Sequence, residues 1–158
     1  MRWGEFALAQ PDLAEAGRAL LYQHGVGLGF LATTRADGGP RVHPMCPLLT
    51  DEDLYAFIVP SPKRLDLHRD GRYALHSFPV ERNEDAFSLT GRAAPTSDGA
   101  AVEALAAQFA VERNMPEPPA EIGSWELFVF DVDSVLLTRT TGHGDPAPNH
   151  TVWHARSG

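Results

Sequence analysis

The stretch from Phe30 to Ser77 constrains the fold more than any other part of the chain. Four runs of β-forming residues follow one another there: 30–35, 40–49, 54–59 and 72–77. Asp37-Gly38-Gly39 separates the first two runs and has the chemistry of a hairpin turn, because glycine adopts the left-handed conformations that tight turns need. Strands joined by such short connections pair in antiparallel fashion. The stretch therefore predicts an antiparallel β-meander.

A short helix is predicted between the third and fourth runs. Ser61 and Pro62 are typical of a helix start, because a serine oxygen can accept a free backbone N–H and proline has the φ of the first helical position. Gly71 is typical of a helix end. Lys63 and Arg64 lie in the first turn, where the helix dipole disfavours cations unless an anion sits among them. The helix start is thus predicted to bind a phosphate group; the alternative is a surface helix with solvated basic residues.

The remaining chain predicts further helices and strands within one domain. Apolar spacings of three and four, with capping residues, predict helices over 11–23, 62–70 and 98–112. Alternation predicts strands over 86–94 and 151–154, and one long closing strand within 125–140. A chain of 158 residues without a linker or a repeat is short for two domains. We divide the single domain, 1–158, into an N-terminal helix, a core that includes the phosphate-site helix, a closing strand and a tail: 11–23, 27–94, 125–140 and 141–158.

Several motifs together resemble a known family. They are Phe30-Leu31-Ala32-Thr33, Asp37-Gly38, Pro40-Arg41-Val42-His43-Pro44 and Ser61-Pro62-Lys63 through Arg72-Tyr73-Ala74-Leu75. Roughly residues 5–140 resemble the pyridoxamine-phosphate-oxidase-like family of FMN-binding split barrels. The resemblance implies a mainly β fold with flanking helices, namely a six-to-eight-stranded antiparallel split β-barrel of Greek-key type. It also implies a homodimer with the cofactor at the subunit interface.

The same resemblance indicates which residues hold the cofactor. The strand 40–46 is expected to lie against the flavin, with Arg41 near the phosphate, since a guanidinium suits bidentate phosphate contact. The structural alternative is an edge strand, because the prolines in this segment cannot donate to a ladder. His76 is expected to be buried, where a lone histidine is more often structural than catalytic. The expected cofactor-binding residues are Arg41, Val42, His43, Pro44, Phe57, Ile58, Ser61, Lys63, Arg64, His76, Ser77 and Trp153.

Three functions remain open from the sequence. The first is an FMN-dependent oxidoreductase, in which the redox chemistry belongs to the cofactor. The second is a reductase that uses a deazaflavin coenzyme, because the Ala-, Arg- and Gly-rich, lysine-poor composition hints at a high-GC genome. The third is a non-catalytic flavin- or haem-binding protein, with His43 or His76 as the iron ligand. No dedicated general acid or base is evident, so we assign neither a catalytic residue nor a particular small-molecule substrate.

Composition disfavours several other classes. The net charge of −8 disfavours nucleic acid and anionic membranes as partners. The single cysteine, Cys46, excludes an internal disulfide and, with no signal peptide or membrane-length apolar run, predicts a cytoplasmic location. His143, His150 and His154 are not expected to bind a metal, because a spacing of four aligns two ligands only on a helix, which the surrounding residues disfavour.

Overall fold

The computed structural model describes residues 1–155, with four α-helices, one 3-10 turn and nine strands. The helices are α1 (Trp3–Ala9), α2 (Pro11–Leu21), α3 (Pro62–Arg69) and α4 (Gly99–Glu112), and the 3-10 turn is Ala120–Ser124. The strands are β1 (Gly29–Thr34), β2 (Pro40–Met45), β3 (Leu48–Leu49), β4 (Leu54–Ile58), β5 (Arg72–Ser77), β6 (Ala86–Pro95), β7 (Glu126–Phe130), β8 (Ser134–Arg139) and β9 (Asn149–His154). The last three residues of the predicted tail, 156–158, lie outside the described part of the chain.

The strands form one curled antiparallel sheet. Its order is β2-β1-β5-β6-β7-β4-β3, and β8 pairs with the first half of β6 while β9 pairs with β8. β6 serves both halves of the barrel, because residues 86–92 pair with β5 or β8 and residues 93–95 pair with β7. The predicted mainly antiparallel split barrel with flanking helices is confirmed. β2 pairs only with β1 among the described strands, as expected for an edge strand that contains prolines.

Two of the predicted strands are each divided, which accounts for the count of nine. The segment 40–49 is interrupted at 46–47, where the chain leaves β1 and joins β4 as β3. The predicted closing strand 125–140 is wrong as a single strand, because it is interrupted at 131–133 between β7 and β8. Val132 is fully buried in this link, so the apolar alternation continues across the break and hides it from the sequence.

The link 131–133 is the point where several parts of the chain meet. The backbone N–H groups of Asp131 and Asp133 donate to the carbonyl oxygens of Arg92 and Thr90 in β6, each at 2.8 Å. Val132 donates to the carbonyl oxygen of Met1, and Ala155 donates to that of Asp133, again at 2.8 Å. The first and last described stretches are therefore both attached to this link.

Helices pack against the sheet at two apolar clusters. The short helix α1, which the sequence analysis did not predict, buries Trp3 and Phe6 against the main core. The N-terminal helix predicted over 11–23 is present as α2 and ends at Leu21. A second, smaller apolar cluster lies under α4, around Leu105 and Phe109. No helix in residues 1–155 is long and apolar enough to cross a lipid bilayer.

We predict that Gly91 is required where β6 changes partner. A Cβ at this position would lie 1.9 Å from the carbonyl oxygen of Asp131, which belongs to the backbone and cannot rotate away. We expect Gly91→Ala to lower the free energy of unfolding by about 1–3 kcal/mol or more, as overpacking does elsewhere. Urea denaturation measures the change. Gly123→Ala is the matched control, because a Cβ there meets open space; equal stability of the two variants would contradict the prediction.

Candidate functional site

The start of helix α3 has the expected position but not the expected cap. Ser61 is the N-cap residue and Pro62 the first helical residue, and Gly71 follows the helix with a left-handed φ of +75°. The serine hydroxyl, however, donates to the carbonyl oxygen of Val59 at 2.8 Å and does not accept a backbone N–H. No side chain of the described residues caps the helix. The N-terminus thus keeps the partial positive charge that binds anions.

Lys63 connects the helix start to strand β2. Its ammonium group donates to the carbonyl oxygen of Pro44 at 3.3 Å and pairs with no carboxylate in residues 1–155. Burial lowers the pKa of this amine, and the nearby Cys46 offsets only part of that shift. Lys63 is also the only lysine in the chain. A half-buried cation without an anionic partner is the site's most distinctive charge.

Arg41 lies on the face of β2 that points toward α3. Its Nε donates to Oδ2 of Asp66 at 2.7 Å, and the Asp66 side chain is only 4% exposed. The same carboxylate accepts hydrogen bonds from Thr33 at 3.0 Å and Arg69 at 3.2 Å. Burial alone would raise the pKa of Asp66, but these hydrogen bonds hold the pKa below its ordinary value. Among residues 1–155, Arg41 uses only Nε in hydrogen bonds, so its two terminal nitrogens remain available.

Arg64 points away from this group. Its guanidinium donates to the carbonyl oxygen of Ser124 at 3.2 Å and lies 3.9 Å from the Glu126 carboxylate. That carboxylate also lies 2.7 Å from Nε2 of His68. Arg64 therefore links α3 to the 3-10 turn and to β7. This is a structural role within the single chain.

The other predicted cofactor-binding residues on β2 and β4 differ in how far their side chains are exposed. Val42 and Pro44 are exposed on the outer face of β2, whereas His43 is half-buried on the same face as Arg41. At the end of β4, Phe57 is half-buried and Ile58 fully buried. Ile58 can thus meet a ligand only through its backbone. These residues surround the start of α3 because β4 leads directly into it.

Three predicted residues lie further from α3. His76 is exposed, and the expectation that it is buried is wrong, because its register with Phe30 and Pro44 places all three on the outer face. Ser77 is fully buried and its hydroxyl oxygen accepts the N–H of Phe87 at 3.1 Å. Trp153 packs on Phe6 with ring centroids 5.0 Å apart. Its strand, β9, is separated from β2 by β1, β5, β6 and β8, so one chain does not bring Trp153 to Arg41.

The tail histidines His143 and His150 have different hydrogen-bond partners. His143 Nε2 lies 3.1 Å from the carbonyl oxygen of Glu81, and His150 Nδ1 lies 3.0 Å from the Thr138 hydroxyl. His150 and His154 are on a strand, where residues four apart are separated by about 13 Å. Within residues 1–155, no group of three or more acidic, cysteine or histidine side chains is placed to hold a metal ion.

Sequence reasoning missed Asp66, which organises the basic residues of the site. The signal was present as a carboxylate three residues before Arg69 on a helix. Its partners Thr33 and Arg41 lie on strands β1 and β2. The pairing of these strands places the two partners side by side.

Comparison with known proteins identifies the fold. The sequence matches no protein-family model and no curated protein. A candidate pyridoxamine 5′-phosphate oxidase from Listeria innocua is 17% identical over 76% of this chain and 93% of its own, with a TM-score of 0.62. A heme-binding protein from Mycobacterium smegmatis is 19% identical over 86% of this chain and 57% of its own, with a TM-score of 0.60. An F420 reductase is 20% identical over 74% and 94%, with a TM-score of 0.58. The chain therefore has the split-barrel fold of the pyridoxamine 5′-phosphate oxidase-like proteins, as its motifs implied.

We predict that the pKa of Lys63 lies below the ordinary lysine value of about 10.4 and rises when a phosphate-bearing ligand binds. Burial disfavours the charged amine, and a neighbouring anion favours it. Reductive methylation with ¹³C-formaldehyde labels the single lysine and the terminal amine, so the Lys63 signal can be followed by NMR during a pH titration. The same titration in urea supplies the unfolded reference. Equal folded and unfolded pKa values, or no response to FMN, would contradict the prediction.

Proposed function

We propose that the protein is an FMN-binding oxidoreductase whose phosphate site lies between the start of α3 and strand β2. The observation that carries the proposal is the half-buried ammonium of Lys63, which faces β2 at an uncapped helix start and has no carboxylate partner in the described residues 1–155. On the same side, the terminal nitrogens of Arg41 have no partner in the part of the chain that the structure describes. An ammonium, a guanidinium fork and the positive end of a helix together fit a phosphate dianion.

In this proposal the chain's own residues bind and orient the cofactor. Lys63 and Arg41 hold the phosphate, while the backbone of 42–44 and of 57–58 lies along the ring. Bound FMN would supply the electron-transfer chemistry. Arg64 contributes positive potential from the far side of the helix, since its hydrogen bond goes to Ser124. The substrate of the proposed enzyme is a small molecule.

The outer face of the sheet supports a homodimer. Cross-strand pairs place Pro44, Phe30, His76, Leu136 and Val152 in one row of this face. Val152, at the end of this row, is 58% exposed. The adjacent row starts with Val42, which is 59% exposed. A cavity of about 290 Å³, lined in part by Ala32 and Ala74, lies on the same face. We propose that a second copy covers this face and that the cofactor lies at the resulting interface.

Two alternatives keep the same site and are favoured by particular neighbours. Similarity of fold to an F420 reductase supports the alternative of a deazaflavin coenzyme. Similarity to a heme-binding protein supports haem, with the half-buried His43 or the exposed His76 as ligand. The visible spectrum of the purified protein distinguishes two flavin bands, one deazaflavin band and a haem Soret band. The cytoplasmic location stays a prediction from the single cysteine.

We predict that Lys63→Ala weakens FMN without weakening the ligand-free fold. A charge-assisted hydrogen bond to phosphate contributes about 1.5–3 kcal/mol, so the dissociation constant should rise about ten- to a hundredfold. Without ligand, removal of an unpaired cation from a helix start should leave stability unchanged or slightly higher. Thermal melts with and without FMN measure both effects, since a ligand of the folded state raises the Tm through its affinity.

Arg82→Ala is the matched control for Lys63→Ala, because it removes one exposed positive charge from a loop outside the site. Its FMN-induced shift in Tm should equal that of the wild type. A Lys63→Ala variant that loses ligand-free stability but keeps its FMN-induced shift would place the phosphate site elsewhere.

We predict that Val42→Glu produces a monomer that binds flavin weakly. A charge on the proposed interface must be desolvated when two copies meet, which is unfavourable without a partner. Sedimentation velocity measures the assembly state, and flavin fluorescence measures binding. Val111→Glu is the control, because Val111 is 74% exposed on α4, away from the sheet face. A wild-type monomer that binds flavin tightly would remove the dimer from the proposal.

A further inference from the structure

Among the described residues, Asp66 is the carboxylate that lies between the basic residues of the proposed phosphate site. It lies on the inner side of α3, is 4% exposed and contacts three donors from three elements. Oδ2 accepts from Arg41 of β2 and Thr33 of β1, and Oδ1 accepts from Arg69 of α3. Both oxygens of Asp66 thus already accept hydrogen bonds from the protein, so the proposed role of Asp66 requires no contact with a cofactor.

We propose that Asp66 is a positioning residue that prepares Arg41 to bind the cofactor phosphate. The inference rests on the proposed function of the site and adds a residue to it. A guanidinium carries five N–H donors in one plane. Fixing Nε–H against a buried acceptor fixes that plane, and the two terminal nitrogens are left as a fork for a second anion. Thr33 donates to the same carboxylate oxygen at 3.0 Å.

The carboxylate also compensates charge in the absence of ligand. Arg41 and Arg69 both pair with Asp66, and without it two guanidinium groups would lie close together with no anion between them. The depressed pKa of Asp66 is consistent with this role, since the ionised form is the one that accepts all three hydrogen bonds. Arg69 also donates to the carbonyl oxygen of Thr34 and is thereby held on the β1 side.

Asp66→Asn tests the proposal with little change of size. An amide has one acceptor and one donor atom, so it cannot accept from Arg41 on one side and from Arg69 on the other. We expect the dissociation constant for FMN to rise about tenfold, equivalent to about 1.4 kcal/mol. The constant for riboflavin, which lacks the phosphate, should change much less. A merely structural role would weaken both ligands equally, and that outcome would overturn the proposal.

A double-mutant cycle tests whether Asp66 acts through Arg41. Arg41→Ala should lower the ratio of riboflavin to FMN dissociation constants, and adding Asp66→Asn should lower it no further. An additional loss in the double variant would overturn the proposal. Thr33→Val is the matched control, because it removes one hydrogen bond from the same carboxylate and leaves the Arg41 pair intact. Its ratio should equal that of the wild type.

A measurement on the wild-type protein keeps the proposal testable if Asp66→Asn fails to fold. The Nε–H proton of Arg41, identified by its absence in Arg41→Lys, should exchange slowly with solvent both before and after FMN is added. Rapid exchange would overturn the positioning role. If Lys63→Ala and Arg41→Ala both leave the discrimination between FMN and riboflavin unchanged, the proposed phosphate site itself is wrong. If they change it while Asp66→Asn does not, only the positioning role is wrong.

Discussion

The pairing of β6 with both halves of the barrel is the constraint on which the rest of the structure depends. Its first half lies between β5 and β8, and its last three residues continue beside β7. Because β4 belongs to one half and β5 to the other, the chain between them must cross the gap, and it does so as α3. The candidate site is at the start of that crossing. Its position therefore follows from the topology, while its chemistry follows from Lys63 and Arg41.

The candidate site is positively charged, whereas the protein as a whole is negatively charged. The chain carries a net charge of −8, yet three cations, Arg41, Lys63 and Arg69, come from a single helix and its neighbouring strand. Within residues 1–155, the carboxylate that lies among them is Asp66, and it is shared by two arginines. Local positive potential in an acidic protein attracts small anions without attracting long polyanions, because the surrounding surface repels the latter. This favours a compact phosphate ligand over nucleic acid.

Local sequence signals predicted most of the helices and strands but not all of the contacts between them. Turn residues and β-forming runs located β1, β4 and β5, and Ser61, Pro62 and Gly71 located α3. Alternation could not reveal the breaks at 46–47 and 131–133, because a buried residue such as Val132 keeps the apolar pattern regular across the change of partner. Helix α1 has only seven residues, which are too few for a repeating pattern of apolar residues to predict it. The outward direction of His76 and the burial of Asp66 depend on strand register and on contacts 25 to 33 residues apart in sequence, which no local pattern contains.

The attachment of Met1 and Ala155 to the link 131–133 has a consequence for how the domain opens. Terminal segments usually fray first, at little cost in free energy. Here the described stretches next to Met1 and Ala155 can detach only by releasing a backbone hydrogen bond at the crossover, beside the closest backbone contact of β6. Opening at the ends is thereby coupled to opening at the centre of the barrel, so residues 1–155 are expected to behave as one cooperative unit.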